Sequence, residues 1–516
     1  MSLHNTATRV ACLLTAFATT VLIGACAITP HPLTSEELNK QAQADRARMF
    51  DSEPLTVPLT LADAIARALK YNLDKRARMM EEALAFGQLK LDQFDMLPKL
   101  TVDAGYAARS DHATVRSTDA VTGLPALGNP YYSLDKNRAV ADLSLSWNIL
   151  DFGVSYYTAH QNADKALIAT EHRRKTIHNL IQAVRFAYWR TVAHQVLEPE
   201  VTRVKARAQS ALERSRTVQS ENVRAPEDSL RYERALFENV NQLSAIEEEL
   251  STAPVELASL IGVPPGTNLV LEVPQEAQLS VPQWTMPIDE MEQTAFVNNP
   301  DLREQGYLGR IAVNDTRKAL LRLLPGINFL SAGEYDSNSF LSNNFWYQGG
   351  AQLSWNLLNI ASAPAQISLA HKNEDVVAAR RMALRMAVLA QVHISGRQFH
   401  NAVDQYQQSA QLADVDEQIA KLSAIKTAND VQGELGQVAD ESASIATRLR
   451  RFHSYAQLQA AYATLRATLG DDLLPTAAAT ADLPSLSKLV AARLQTWSNN
   501  DPAPAPIAML APDGIK

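Results

Sequence analysis

Residues 139–149 read Ala-Val-Ala-Asp-Leu-Ser-Leu-Ser-Trp-Asn-Ile, and the tetrapeptide Leu145-Ser146-Trp147-Asn148 returns as Leu353-Ser354-Trp355-Asn356. In the first stretch Ala139, Ala141, Leu143, Leu145, Trp147 and Ile149 alternate with mostly polar partners such as Asp142, Ser144, Ser146 and Asn148. That period of two belongs to a strand with one apolar face. Upstream, Leu100, Val102, Ala104, Tyr106 and Ala108 alternate with Thr101, Asp103, Gly105 and Ala107; later, Ile327, Phe329 and Tyr335 precede Ala351, Leu353, Trp355 and Leu357. Four strands are therefore expected, at about 99–110, 137–150, 326–337 and 346–358. Strands of about ten residues match a tilted outer-membrane crossing. A soluble sandwich with one wet face is the other reading. The aromatic clusters Tyr131-Tyr132 and Phe345-Trp346-Tyr347 favour membrane-interface girdles instead.

Working outward, Leu61–Pro98 lies over Ile288–Pro325 at a constant offset that matches Ala68 with Ala295, Asn72 with Asn299, Asp74 with Asp301, Arg76 with Arg303 and Leu97-Pro98 with Leu324-Pro325. A second constant offset carries the tetrapeptide, then sets Leu250, Ala253, Leu257 and Gly262 on Leu458, Ala461, Leu465 and Gly470. The offsets differ because the loop at about 109–135 is the longer one, as expected of a variable surface tip. The expected fold is thus mainly α with membrane β. Helix–strand–strand–long helix–helix units occur twice, over 59–262 and 288–470, with a linker at 263–287.

Within 60–96, Leu61, Ile65, Ala68 and Leu69 share a helix face, and Pro98 closes the run. A helical pattern then extends from about Val154 to about Glu221, with Ile177, Leu180, Ile181, Val184 and Tyr188 on one stripe, up to Pro226. Such a run reaches ~100 Å at 1.5 Å per residue. Leu236, Val240, Leu243, Ile246 and Leu250 mark a return helix with near coiled-coil spacing, which Pro254 should kink or shorten. The second unit has a run from about Ala363 to Ala428, a polar turn near Asn429–Gly436 and a return helix ending at Gly470. The apolar seams are narrow, so these helices need neighbours. Four strands cannot close a barrel, and open edges are forbidden in lipid. Two copies give eight strands and three give twelve, and the sequence leaves that number open.

The chain has 516 residues, 46% of them hydrophobic, two cysteines and a formal charge of −8. No basic stripe offers the counterion release that drives nucleic-acid binding. Arg9 precedes an apolar run, Ala11 to Ile23, that is short for a bilayer crossing. Its end, Ile23-Gly24-Ala25-Cys26, resembles a lipobox. The expectation is a lipoprotein signal peptide at 1–25, an acylated Cys26 and a tether at 26–58. An ordinary secretory signal with a coincidental cysteine is the alternative. Ala27 follows Cys26 where inner-membrane retention uses Asp, which implies outer-membrane sorting. Cys12 lies in the discarded segment, so no disulfide is expected. The sequence contains no Gly-rich phosphate loop, G-x-S-x-G, H-E-x-x-H or paired-cysteine motif, so no enzyme, cofactor or metal site is expected. His393 with His400, Met79-Met80, and Met382 with Met386 read as surface or packing residues. Residues 471–516 are expected to form a belt, with a helix near Leu483–Thr496, and a loose tail.

Leu-Thr-Leu-Ala-Asp-Ala-Ile-Ala-Arg-Ala-Leu-Lys-Tyr-Asn at 59–72, the doubled Leu-Ser-Trp-Asn and the lipobox together resemble the TolC-like outer membrane efflux family, over roughly residues 55–470. The resemblance implies a homotrimer whose twelve-stranded β-barrel continues into a periplasmic α-helical barrel. It further implies docking to a periplasmic adaptor (membrane fusion) protein and an inner-membrane RND-type pump or ABC exporter. The chain would then be the passive exit channel of a tripartite efflux or type I secretion system, with cargo chosen by the inner-membrane partner. In that family the periplasmic tips form an iris. Here Glu227 and Asp228 stand at the first tip, and Asp430, Glu434, Asp440 and Glu441 at the second. These acids either ring a narrow pore, where like charges attract cations, or start the return helices, where the dipole favours them. The family's glycine after an aromatic is missing from the first tip, where Glu221-Asn222-Val223-Arg224-Ala225-Pro226 stands. The competing function is a structural coiled-coil envelope lipoprotein without channel activity, which would need no paired strands.

Overall fold

The computed structural model describes residues 31–498 apart from 56–57, 117, 126–127, 221–225, 274–278, 430–432 and 475–481. Cys26 and Asp430 lie outside the described residues, as does the tail from 499. The chain divides after Glu53. The N-terminal unit contains α1 (Ser35–Met49), started by a reciprocal Thr34–Glu37 capping box, and none of its residues is buried.

In the larger unit, α2 (Leu61–Tyr71) and α3 (Leu73–Phe94) lead to β1 (Lys99–Ala108), then two short strands, β2 (Ala113–Val115) and β3 (Tyr131–Leu134), then β4 (Asn137–Asn148). The long helix α4 (Ile149–Ser220) follows without a gap, and α5 (Pro226–Ser251) and α6 (Ala253–Leu260) return. Next come α7 (Ile288–Asn298), α8 (Pro300–Leu321), β5 (Gly326–Asp336), β6 (Phe345–Ser354), α9 (Leu358–Ala428), α10 (Glu434–Thr468) and α11 (Leu483–Ser498). The helices α4 and α9 have 72 and 71 residues. No helix among the described residues is long and apolar enough to cross a membrane.

The expected continuous helix over 60–96 is instead two helices, broken at Asn72, whose backbone is extended (φ −62°, ψ 127°). Its amide serves two elements. The Oδ1 accepts from Lys75 N (3.0 Å), and the Nδ2 donates to Leu260 O (3.4 Å) at the end of α6. Asn299 breaks α7 from α8 in the same way, accepting from Asp301 N and Leu302 N and donating to Thr468 O (3.0 Å). Each asparagine thus caps one helix and ties it to the end of a return helix. Just beyond those ends, Gly262 and Gly470 adopt φ of +72° and +71°.

The repeated Leu-Ser-Trp-Asn ends each strand pair by starting a long helix. Asn148 Oδ1 accepts from Leu150 N (2.9 Å) and Asp151 N (3.2 Å), and Asn356 Oδ1 accepts from Leu358 N (3.1 Å). The last strand therefore stops at Ser354, short of the expected 358, and Trp355 donates from its indole to Leu323 O (3.0 Å). Pro199 lies inside α4 without ending it. An interior proline costs ~3 kcal/mol or more, and here it sits in a stretch where Leu197, Val201 and Val204 are all buried. Pro254 opens α6, so the return helix splits at Thr252.

The four long strands form one antiparallel sheet in the order β1-β4-β5-β6, leaving one edge each of β1 and β6 unpaired. The main core lies where α2 and α6 pack on α4, α4 on α10 and α11 on α2, around buried Ile65, Leu69, Val184, Tyr188, Leu257, Leu458 and Tyr462. Each large side chain so buried contributes about 1.5–3 kcal/mol. By contrast, α3 leaves Met80, Leu84 and Leu91 exposed, and α9 leaves Leu369, Val376 and Met386 exposed.

Candidate functional site

The sheet is patterned with its apolar side outward. Along β4 the apolar residues Ala139, Ala141, Leu143, Leu145 and Trp147 are exposed, while Asp142, Ser144, Ser146 and Asn148 between them are half-buried. Register carries that face across every strand. Leu100 and Val102 stand opposite Leu145 and Leu143, Trp147 opposite Phe329, and Ile327 opposite Leu353. Val102 is 72% exposed and Leu353 64%. A contiguous apolar face of this kind calls for lipid or protein against it.

The other face is polar. Thr101 Oγ1 and Ser144 Oγ share a hydrogen bond of 2.7 Å. The pairing sets Asp103 opposite Asp142 and Asp142 opposite Glu334, three acids side by side on three strands. Glu334 accepts a hydrogen bond from Gln348 on β6. Like charges opposite one another cost roughly 0.2–1 kcal/mol per pair, which a wet surface tolerates better than a dry one.

The aromatic clusters divide. Phe345 and Tyr347 make a T-shaped pair at 4.8 Å on the apolar face, whereas Trp346 stands opposite Glu334 on the polar one. Tyr131 and Tyr132 lie on β3, outside the four-stranded sheet, and the Tyr132 ring packs against His112 (4.9 Å) and Phe340 (6.1 Å).

At the far ends of the long helices, Glu227 and Asp228 occupy the first turn of α5, both exposed, and Glu227 pairs with Arg231 (2.6 Å). Glu434 starts α10 and pairs with Arg214 of α4. Glu441 is held by Arg207 at 2.6 and 2.7 Å and by Gln437 at 2.8 Å. One heptad further, Glu200 meets Arg448 at 2.6 Å. Asp440 is half-buried on α10. Two of the tip acids thus belong to a ladder of ion pairs zipping α4 to α10. The arginines that neutralise them were legible only as heptad-spaced charges on two helices far apart in sequence. Reversing Arg207 to Glu is expected to cost about 1–3 kcal/mol, since Glu441 is mostly buried. The double change Arg207→Glu/Glu441→Arg should recover most of it in a thermal melt. A single mutant as stable as the parent would show that the ladder contributes nothing.

His393 pairs with Glu292 (2.8 Å), and His400 packs against Phe399 (5.8 Å). Nearer the core, burial pulls the Arg185 guanidinium down to about 10, partly offset by Tyr462 and Tyr455, so it stays charged at neutral pH. It donates to Gln459 on α10.

No family model matches the chain. No curated protein matches it either. Solved structures do. The CmeC outer membrane channel of Campylobacter jejuni superposes with a TM-score of 0.62 at 12% identity, over 85% of this chain and 89% of that one. CusC, whose structures concern folding and transmembrane channel formation, gives 0.61 at 14%, over 82% and 96%. The open state of the MtrE outer membrane channel of Neisseria gonorrhoeae gives 0.59 at 14%, over 82% and 94%. The chain has the fold of these outer-membrane channels.

Proposed function

We propose that this chain is one subunit of an outer-membrane exit channel. It would pass substrates, without chemistry of its own, from a periplasmic adaptor and an inner-membrane pump or exporter to the exterior. The observation that carries this is the four-stranded sheet with an exposed apolar face, a polar opposite face and two free edges. Successive strands are antiparallel and even in number, so β6 of one copy can pair antiparallel with β1 of the next. Any number of copies then closes without a parallel junction, which removes the edges that lipid forbids. We take the number as three, giving twelve strands, with the exposed apolar residues of α3 and α9 covered by neighbouring copies. The matched Asn72/Asn299 and Gly262/Gly470 support an internal duplication, and the likeness to solved outer-membrane channels supports the location. Acylation of Cys26 would add an anchor in the same membrane. On this reading Phe345 and Tyr347 sit at the membrane interface, and exposed Asp228 and half-buried Asp440 are the tip acids proposed to face the pore.

Planar-bilayer conductance of the purified oligomer is the direct test, and an assembled trimer that never conducts would sink the channel. Sidedness has its own test. Leu143→Arg puts a charge on the proposed lipid face and should cost about 2–4 kcal/mol of barrel stability, whereas Ser144→Arg, one residue on, should fold and change ion selectivity. Equal tolerance of both would refute the assignment of faces.

A further inference from the structure

We infer that the turn between β5 and β6 is a clasp that holds the loop between β1 and β4 in place, and that this grip steadies the outer mouth of the channel. Both connections lie at the end of the sheet away from the helices, because each strand pair is entered from a helix and left into one. The grip centres on Asn338, which is 1% exposed although it stands in a turn. Its Nδ2 donates to Ser133 O (3.0 Å), its Oδ1 accepts from Asp135 N (3.1 Å), and its own N–H is taken by Asp336 Oδ1 (2.9 Å). Next to it, Asp135 accepts from Ser339 N (2.5 Å) and Ser339 Oγ (3.0 Å). Asn344 Nδ2 donates to the carbonyls of Asp336 and Asn338, fixing the turn from behind. The ion pair Arg138–Asp336 (2.6 Å) and the ring contacts of Phe340 with Tyr132 and His112 flank the polar centre.

A long loop loses much conformational freedom when it is fixed, and short-range contacts of its own rarely compensate. Here the compensation comes from a residue some two hundred positions away whose side-chain hydrogen-bonding groups are both used. A buried amide so fully satisfied is costly to replace, since its partners would be left unpaired. Releasing it frees the segment carrying Tyr132, Ser133 and Asp135 while leaving the four-stranded ladder intact. The clasp concerns the loops alone; its effect on the mouth rests on the channel reading above.

The test uses the full-length oligomer, reconstituted in lipid, as wild type, Asn338→Ala, Ser339→Ala and Phe340→Ala. Trypsin cleavage after the exposed Arg116 reports release of the loop, and open-channel current noise reports the mouth. Asn338→Ala is expected to raise cleavage roughly tenfold or more, with both side-chain hydrogen bonds to the loop lost, and to raise current noise. Ser339→Ala and Phe340→Ala should give smaller rises in the same order in both readouts. Unchanged cleavage in all three overturns the clasp, and faster cleavage with a quiet current overturns its role at the mouth. A wild type that never conducts refutes the channel itself, and the cleavage series still separates that failure from failure of the clasp. Should Asn338→Ala not assemble, the two milder variants decide alone.

Discussion

Gly470→Ala is expected to remove most of the folded protein. Gly470 has φ +71°, where an L side chain is strained, and a Cβ there would lie 2.4 Å from Asn298 C, with Asn299 N at 2.9 Å. These are backbone atoms at the break between α7 and α8, held by the Asn299–Thr468 hydrogen bond, so they cannot move aside without undoing the cap. Left-handed strain alone costs about 1–3 kcal/mol, and the overlap adds to it, for a total of ~4 kcal/mol or more. Gly262→Ala should be somewhat milder, since only Tyr71 Cβ, at 2.7 Å, comes within 3.0 Å and the Tyr71 backbone O and C lie at 3.4 and 3.5 Å, although that Cβ moves only with its backbone. The check is the yield of folded protein and its thermal melt, compared among wild type and the two variants. A Gly470→Ala protein melting with the wild type would overturn the account of this junction.

Arg466→Ala should release the C-terminal helix α11. Arg466 is 4% exposed, with Trp284, Tyr462 and Trp497 around its guanidinium at 5.0, 5.2 and 5.1 Å. It pairs with Asp471 (2.7 Å) and donates to Trp497 O (3.2 Å), while Arg493 of α11 shares Asp471 at 2.8 Å. Removing one member of a buried pair costs up to about 3–5 kcal/mol, and this one falls at or below the lower end because Arg493 still faces Asp471. The loss here falls on the contacts that dock α11. Arg466→Lys keeps the charge but not the planar group that stacks among the rings, so it should fall between the two. Hydrogen exchange across residues 483–498 reads the effect directly. Wild-type protection in Arg466→Ala would mean that α11 is held by its buried Leu486, Val490 and Trp497 and by the bonds of Ser487 to Asp63 and of Tyr462 to Trp497 O.

Much of this was visible in the chain itself. The alternation around Leu143 and Leu145 announced which residues share the apolar face, because side chains alternate with a fixed period whatever the neighbouring strand is. The helical apolar period announced the long helices even though each run contains a proline, and Pro199 shows that a breaker can be overridden where the flanking residues are buried. Asn72 was visible as a match to Asn299, but its effect was not: local propensity continued the helix, and the bond to Leu260 O supplies a partner that only tertiary structure brings.

The tip acids mark the limit most clearly. Glu434 and Glu441 read equally well as pore charges or helix-start acids, and neither description names Arg214 or Arg207, which meet them from α4. The row Asp103, Asp142 and Glu334 and the burial of Asn338 depend likewise on register and on which strands become neighbours. The sequence by itself therefore determined the periodicities: the strand faces and the span of the long helices, set by forces acting within a few residues. Tertiary structure alone decided where Asn72 and Asn299 break the helices, which charges meet and which loops hold one another, because those contacts join separate segments, from Asp103 and Asp142 on adjacent strands to Arg207 and Glu441 on α4 and α10, and nothing local to either segment encodes the partner.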